Sequence, residues 1–351
     1  MRCNMFVNSV VSGEIIIGES AMFAACDRVR LLYKAGKVLK VYNQVTNKVW
    51  QENIDWAFDK NTNSIVRLPQ SSMPYITSKT IAPDDAHALY YPAPGANAVP
   101  GRVGGGNVLF DAKSFFAENQ IEVDYTASSD QTLLPELDAM QGKKLPRFRS
   151  KLARQENVRI IALGDSITEG YNCGKFIGFA PYRKPWFELF ADFIMQKYSL
   201  QCDWQNRGIN GAGSDKPLQF IPELLDGSAD LWVIAYGMND LAKRNEVEFA
   251  ENLRAIMSKI TDNDPDAEFL LVTPMSGNPE WIHTPLEKTA AFSEAIRQLP
   301  GSEGHILCAD VNKLWSKVLE VKSFYDITGN GVNHPNDYSH TIYAAALNAL
   351  F

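Results

Sequence analysis

Apolar and polar residues alternate in short runs over the first 150 positions. A run with its core at 29–33 is followed by Lys34-Ala35-Gly36 and a second run at 37–42, a pattern that predicts a β-hairpin. IDWAFD (54–59), SIVRL (64–68), NVLFD (107–111) and QIEVDYT (120–126) continue it as further short strands. Several such strands without a long helical period predict a β-sandwich or jelly-roll-like domain over residues 1–150. Residues 82–106 are rich in Pro and Gly, end in Gly104-Gly105-Gly106, and read as a long irregular loop. This loop lacks the Gly-Lys-Ser/Thr ending of a phosphate-binding loop.

From residue 151 to 351 the pattern changes to apolar strands alternating with helices. Strands are predicted at 158–164, 202–206, 231–237, 268–274 and 305–310. Helical spacing predicts helices at 185–198, 246–260, 285–298 and 338–350, with Pro185 suited to a first turn. The alternation predicts an α/β domain whose parallel sheet is covered on both faces. Ligands of such sheets bind beyond the carboxyl ends of the strands.

Composition narrows the function classes. Hydrophobic residues at 45% and charged residues at 21% exclude a disordered or collagen-like chain. With 41 acidic and 34 basic residues the net charge is −7, and no Lys/Arg block is present. Nucleic acid and an anionic membrane surface are therefore not expected partners. No apolar run reaches the ~18–20 residues that cross a bilayer. MRCNMFVNSVVSGE lacks the apolar core of a signal peptide, so the expected location is cytoplasmic. The cysteines, Cys3, Cys26, Cys173, Cys202 and Cys308, are odd in number and form no CxxC, which suits reduced thiols rather than a disulfide framework or a zinc site. No histidine pair has metal-ligand spacing with carboxylates on one helix face, so no metal site is expected.

The candidate chemistry lies at the strand ends. The first α/β strand ends in Gly164-Asp165-Ser166, where a serine at a sharp turn could act as a nucleophile, although Asp and Ser also serve as helix caps. No GxSxG nucleophile elbow occurs. The second strand ends in Asn206-Arg207-Gly208-Ile209-Asn210-Gly211, by itself an ordinary turn. The third ends in Gly237-Met238-Asn239-Asp240, where the Asn amide could donate to an oxyanion or simply cap a helix. Asn333-His334-Pro335-Asn336 precedes the last helix, and its histidine could serve Ser166 as general base. His87, His283, His305 and His340 are read as structural.

Ser166, Gly211, Asn239 and His334, in that order on one sheet edge, resemble the SGNH/GDSL hydrolase superfamily over roughly residues 155–351. The resemblance implies a three-layer, flavodoxin-like domain with Ser166 as nucleophile and His334 as base. It also implies an oxyanion hole made of the Ser166 N–H, the Gly211 N–H and the Asn239 side chain. A β-rich region joined to such a domain is similar to two-domain carbohydrate esterases that remove acetyl groups from sugars.

One position departs from the family pattern. The family places Asp three residues before its histidine, where this chain has Gly331. Asp326 could fold back through the flexible 328–331 segment, or a backbone carbonyl could hold the imidazole; the second arrangement, a Ser–His dyad, is the favoured expectation. Asp337-Tyr338-Ser339-His340 also spells DxxH, but His340 falls inside the last helix and is expected to cap or pack.

The resemblance implies an esterase for short acyl groups, acetyl first among them, on carbohydrate, working without a cofactor. A sugar O-acyltransferase and a non-catalytic glycan-binding protein are the alternatives. Tyr171, Trp186, Tyr236 and Trp281 lie near the strand ends and are candidate sugar-stacking residues, with packing favoured for Trp186. The residues leave oligomeric state open.

Overall fold

A computed structural model describes residues 15–127, 133, 141–301 and 304–351. Cys3 and the N-terminal stretch read above for a signal peptide lie outside them. Nine strands build the N-terminal region: β1 (Ile15–Ala21), β2 (Arg28–Arg30), β3 (Ala35–Asn43), β4 (Lys48–Trp50), β5 (Trp56–Asp59), β6 (Ser64–Arg67), β7 (Ala98–Pro100), β8 (Asn107–Leu109) and β9 (Ile121–Ala127). They form an antiparallel four-stranded sheet in the order β1-β9-β3-β4, a three-stranded sheet β2-β6-β5 and the pair β7-β8. Strict alternation shows in β9, where Ile121, Val123 and Tyr125 are buried and the residues between them are not.

The hairpin expected from residues 29–42 does not form. β2 pairs with β6, whereas β3 pairs with β4 and β9. Asn63 supplies the physical reason. Its Nδ2 donates to the carbonyls of Leu31 (3.0 Å) and Tyr33 (2.8 Å), and its Oδ1 accepts from the Ala35 N–H (2.9 Å). The segment between the two strands is thereby bonded to one side chain instead of closing a turn, and Leu31, Leu32 and Tyr33 are all buried.

The α/β region carries five parallel strands: β10 (Val158–Gly164), β11 (Cys202–Gly208), β12 (Leu231–Ala235), β13 (Phe269–Val272) and β14 (Ile306–Ala309). Their order is β11-β10-β12-β13-β14, a 2-1-3-4-5 arrangement of the flavodoxin-like kind that the family resemblance implied. The main helices are α1 (Pro146–Ala153), α2 (Ser166–Glu169), α3 (Trp186–Tyr198), α4 (Glu246–Asn263), α5 (Leu286–Arg297), α6 (Val311–Leu319), α7 (Phe324–Ile327) and α8 (Asp337–Asn348). α3 packs with α8 and α4 with α5, the two groups expected on opposite faces when right-handed crossovers run in opposite directions from β10 and β12. Phe249 of α4 stacks on Phe292 of α5 at 4.5 Å, and α8 packs on both α3 and α6. The strand order reverses beside β10, and the crevice at its carboxyl end is where Ser166 begins α2.

The hydrophobic core is continuous from Phe23, Trp50 and Tyr125 in the β-rich region to Ile161, Trp232 and Trp315 in the α/β region. Among the described residues no helix is long and apolar enough to cross a membrane, and no group of three or more His, Cys, Asp or Glu could hold a metal ion.

Candidate active site

Ser166 is the first residue of α2, and Asp165 caps the turn by accepting the Ile167 N–H at 2.9 Å. A first-turn N–H has no acceptor within its own helix, so the Ser166 amide is available to a ligand. Asp165 is fully buried, and that burial pushes its carboxyl up to about 7. Three strand-end loops are tied together around this turn. The Asn210 N–H donates to Glu169 Oε2 (2.7 Å), and Asn206 Nδ2 to the Thr168 carbonyl (2.6 Å). Asn239 Nδ2 donates to the Ala212 carbonyl (3.0 Å), which leaves its second amide hydrogen for another acceptor. Asp240 accepts the Ser214 N–H (3.0 Å) and hydroxyl (2.7 Å), and Arg244 bonds it at 3.0 Å. These bonds join the Gly211 and Asn239 turns.

His334 enters from the loop between α7 and α8. Its Nε2 lies 2.9 Å from Ser166 Oγ, and both residues are buried. The loop is knit by its own polar groups. Asn330 Oδ1 accepts the N–H groups of Val332, Asn333 and His334, while Thr328 Oγ1 and the Gly329 N–H donate to the His334 carbonyl. Burial, reinforced by the nearby His340, pushes the His334 imidazole down to about 3, so the ring is neutral at pH 7.

Neither partner expected for His334 Nδ1 is the one present. Asp326 turns away: its carboxylate accepts the Met22 N–H of the β-rich region and the Ser323 N–H, each at 2.8 Å, and stands 3.8 Å from Lys322. Nor does a backbone carbonyl hold the ring, because Nδ1 lies 2.6 Å from the side-chain Oδ1 of Asn172. The 328–331 segment could not swing Asp326 over, since it is buried and bonded throughout rather than flexible. An Asn within Gly170-Tyr171-Asn172-Cys173-Gly174 has no periodic signature, so the contact was invisible in the sequence.

Gly331, the position that departs from the family pattern, has φ +89° and sits under the β-rich region. A Cβ there would collide with the Leu109 carbonyl oxygen and stand 2.7 Å from the Phe116 ring. Gln120 of the same region donates through Nε2 to the carbonyls of Tyr325 (2.9 Å) and Thr328 (2.8 Å), and its Oε1 accepts from Asn336 (2.9 Å). The Asp111 N–H bonds the Asn330 carbonyl at 3.1 Å. The β-rich region therefore forms one wall of the histidine loop.

The other singled-out residues separate cleanly. His340 is buried in α8, where its Nδ1 accepts from the Trp186 N–H at 3.3 Å. Trp186 is fully buried and donates to the Ile167 carbonyl, and Tyr236 is buried as well, so both pack. Trp281 is partly exposed and bonds the Pro100 carbonyl through Nε1. Tyr171 stands 5.7 Å from the His334 ring and 4.3 Å from the Phe176 ring, which is exposed.

The solved structures similar to this chain include a mutant acetyl xylan esterase from Geobacillus stearothermophilus, with 19% identity and TM-score 0.43, covering 55% of this chain and 94% of that one. A possible lipase from Chitinophaga pinensis has 19% identity and TM-score 0.41, covering 54% and 96%. A two-domain esterase active on acetylated mannans has 15% identity and TM-score 0.44, covering 60% and 55%. No curated protein sequence matches the chain. The GDSL-like lipase/acylhydrolase family matches residues 162–342, just over half of the chain. The chain therefore belongs to the GDSL-like lipase/acylhydrolase family, and it is a carboxylic ester hydrolase.

Proposed function

We propose that this enzyme is a serine esterase that removes short acyl groups, acetyl first among them, from a carbohydrate or similar polyol. The observation that carries the reading is the 2.9 Å contact between Ser166 Oγ and Nε2 of a neutral, buried His334. Ser166 Oγ attacks the ester carbonyl carbon as its proton passes to Nε2. The Ser166 and Gly211 N–H groups and the free amide hydrogen of Asn239 are the proposed donors to the resulting oxyanion. The imidazolium then protonates the leaving alcohol and acyl-Ser166 remains. Water, giving a proton to Nε2, attacks the acyl-enzyme and releases the acid.

The glycan part of the reading rests on Tyr171 and Phe176, whose paired rings beside His334 offer a surface on which a sugar can stack. The acetyl xylan and acetylated-mannan esterases named above suggest the same substrate class. The test is a panel of acetylated sugars and aryl acetates assayed with wild type and Ser166→Ala. Release of acetate by wild type, abolished in Ser166→Ala, is the expected result. An unaffected Ser166→Ala enzyme would overturn the assignment.

A further inference from the structure

Asn172 is a buried residue with φ 63°, a left-handed conformation that Asn accepts more readily than most side chains. Gly329 lies against it so closely that a Cβ at position 329 would stand 2.6 Å from the Asn172 Cβ. The Asn172 Nδ2 faces the Lys113 carbonyl of the β-rich region at 3.5 Å, the outer limit of a hydrogen bond. Its Oδ1 meets His334 Nδ1 at 2.6 Å. An amide oxygen only accepts, so Nδ1 carries the proton and the Nε2 lone pair faces Ser166.

We infer that Asn172 is the positioning residue for His334, an uncharged amide doing the orienting work for which a carboxylate was expected. The inference rests on the Ser166–His334 chemistry proposed above. Asn172 locks the tautomer and the ring angle, as an acid would, but brings no negative charge to the imidazolium formed during turnover. The titratable groups facing the ring are Ser166, His340 of α8 and Tyr171; burial pushes His340 down to about 4 and the Tyr171 phenol upward. Neither His340 nor Tyr171 is an anion at neutral pH, so neither substitutes for the missing acid.

The test compares wild type, Asn172→Ala, Asn172→Asp and Ser166→Ala on 4-nitrophenyl acetate from about pH 2, below the His334 value, to about pH 8. A parallel NMR titration follows the imidazoles of the full ¹⁵N-histidine-labelled chain. Asn172→Ala is expected to lose at least about tenfold in kcat with KM within about twofold, because the tautomer lock is gone. Asn172→Asp keeps the side-chain shape and adds a charge beside Nδ1. It is expected to move both the acid limb of kcat/KM and the His334 titration up by ~1–3 pH units. If Asn172→Ala does not fold, the isosteric Asp variant carries the test. The inference is overturned if Asn172→Asp leaves the His334 titration and the acid limb where wild type has them. If Ser166→Ala keeps full activity while Asn172→Asp still shifts the titration, the proposed function fails and the positioning contact stands.

Discussion

Glu19 and Lys322, 303 residues apart in the chain, form a 2.8 Å ion pair with neither side chain exposed. Lys322 also donates to the Arg30 carbonyl at 2.9 Å, and Glu19 accepts the Leu32 N–H at 2.9 Å and the Tyr125 hydroxyl. The pair pins β1 to the start of α7, from which the histidine loop departs. Removing one partner leaves a buried charge without its counterion. Lys322→Met is expected to cost about 3–5 kcal/mol of stability, read from the urea midpoint. A midpoint equal to wild type would show that the pair contributes nothing.

Gly331 yields a prediction that runs against sequence logic. Installing the family's acid with Gly331→Asp is expected to lower both kcat and Tm rather than raise activity. The new side chain meets the Leu109 carbonyl and Phe116, and the backbone there has positive φ. Overpacking of this kind costs about 1–3 kcal/mol, and the strained φ costs a similar amount. Thermal melting together with initial rates checks both halves of the expectation.

The acid limb of the wild-type pH profile follows from His334. Its folded value, about 3, lies below the ordinary 6.5. A base with a lowered value stays unprotonated as pH falls, so activity held at pH 7 should persist through pH 6.5 and be lost only well below it. In kcat/KM, which reports the free enzyme, the rate at about pH 5 is expected to match that at about pH 7. Product quantified by chromatography, independent of nitrophenolate colour, checks this. An inflection near 6.5 would contradict it.

Asn239 supplies one amide hydrogen to the Ala212 carbonyl and has one left. Asn239→Ala is expected to reduce kcat by ~10²–10³ with little change in KM, the usual effect of losing an oxyanion donor. Steady-state kinetics on 4-nitrophenyl acetate separates the two parameters.

Much of this architecture was legible in the residues. Continuous apolar runs announced β10 and β12, because a strand buried on both faces cannot alternate. The place of Ser166 followed from the strand pattern, since parallel strands deliver their carboxyl ends to one edge, whereas its pairing with His334 was implied by the family resemblance. Long-range polar contacts left no such trace. Asn63 bending the chain between β2 and β3, and Asn172 facing His334 across 162 residues, are single amides in turns. Asp326 misled for a related reason: its proximity in sequence to His334 says nothing about a carboxylate already engaged by Met22 and Ser323.

Gln120, a β-rich-region residue, holds the carbonyls of Tyr325 and Thr328 and so shapes the arm that carries His334. Cloning only the segment that matches the family would therefore leave out the seat of the base while retaining every residue of the recognised motif. Such a trimmed protein would satisfy a motif search and still lack a properly seated histidine, so library work on this enzyme should keep the β-rich region together with the family segment.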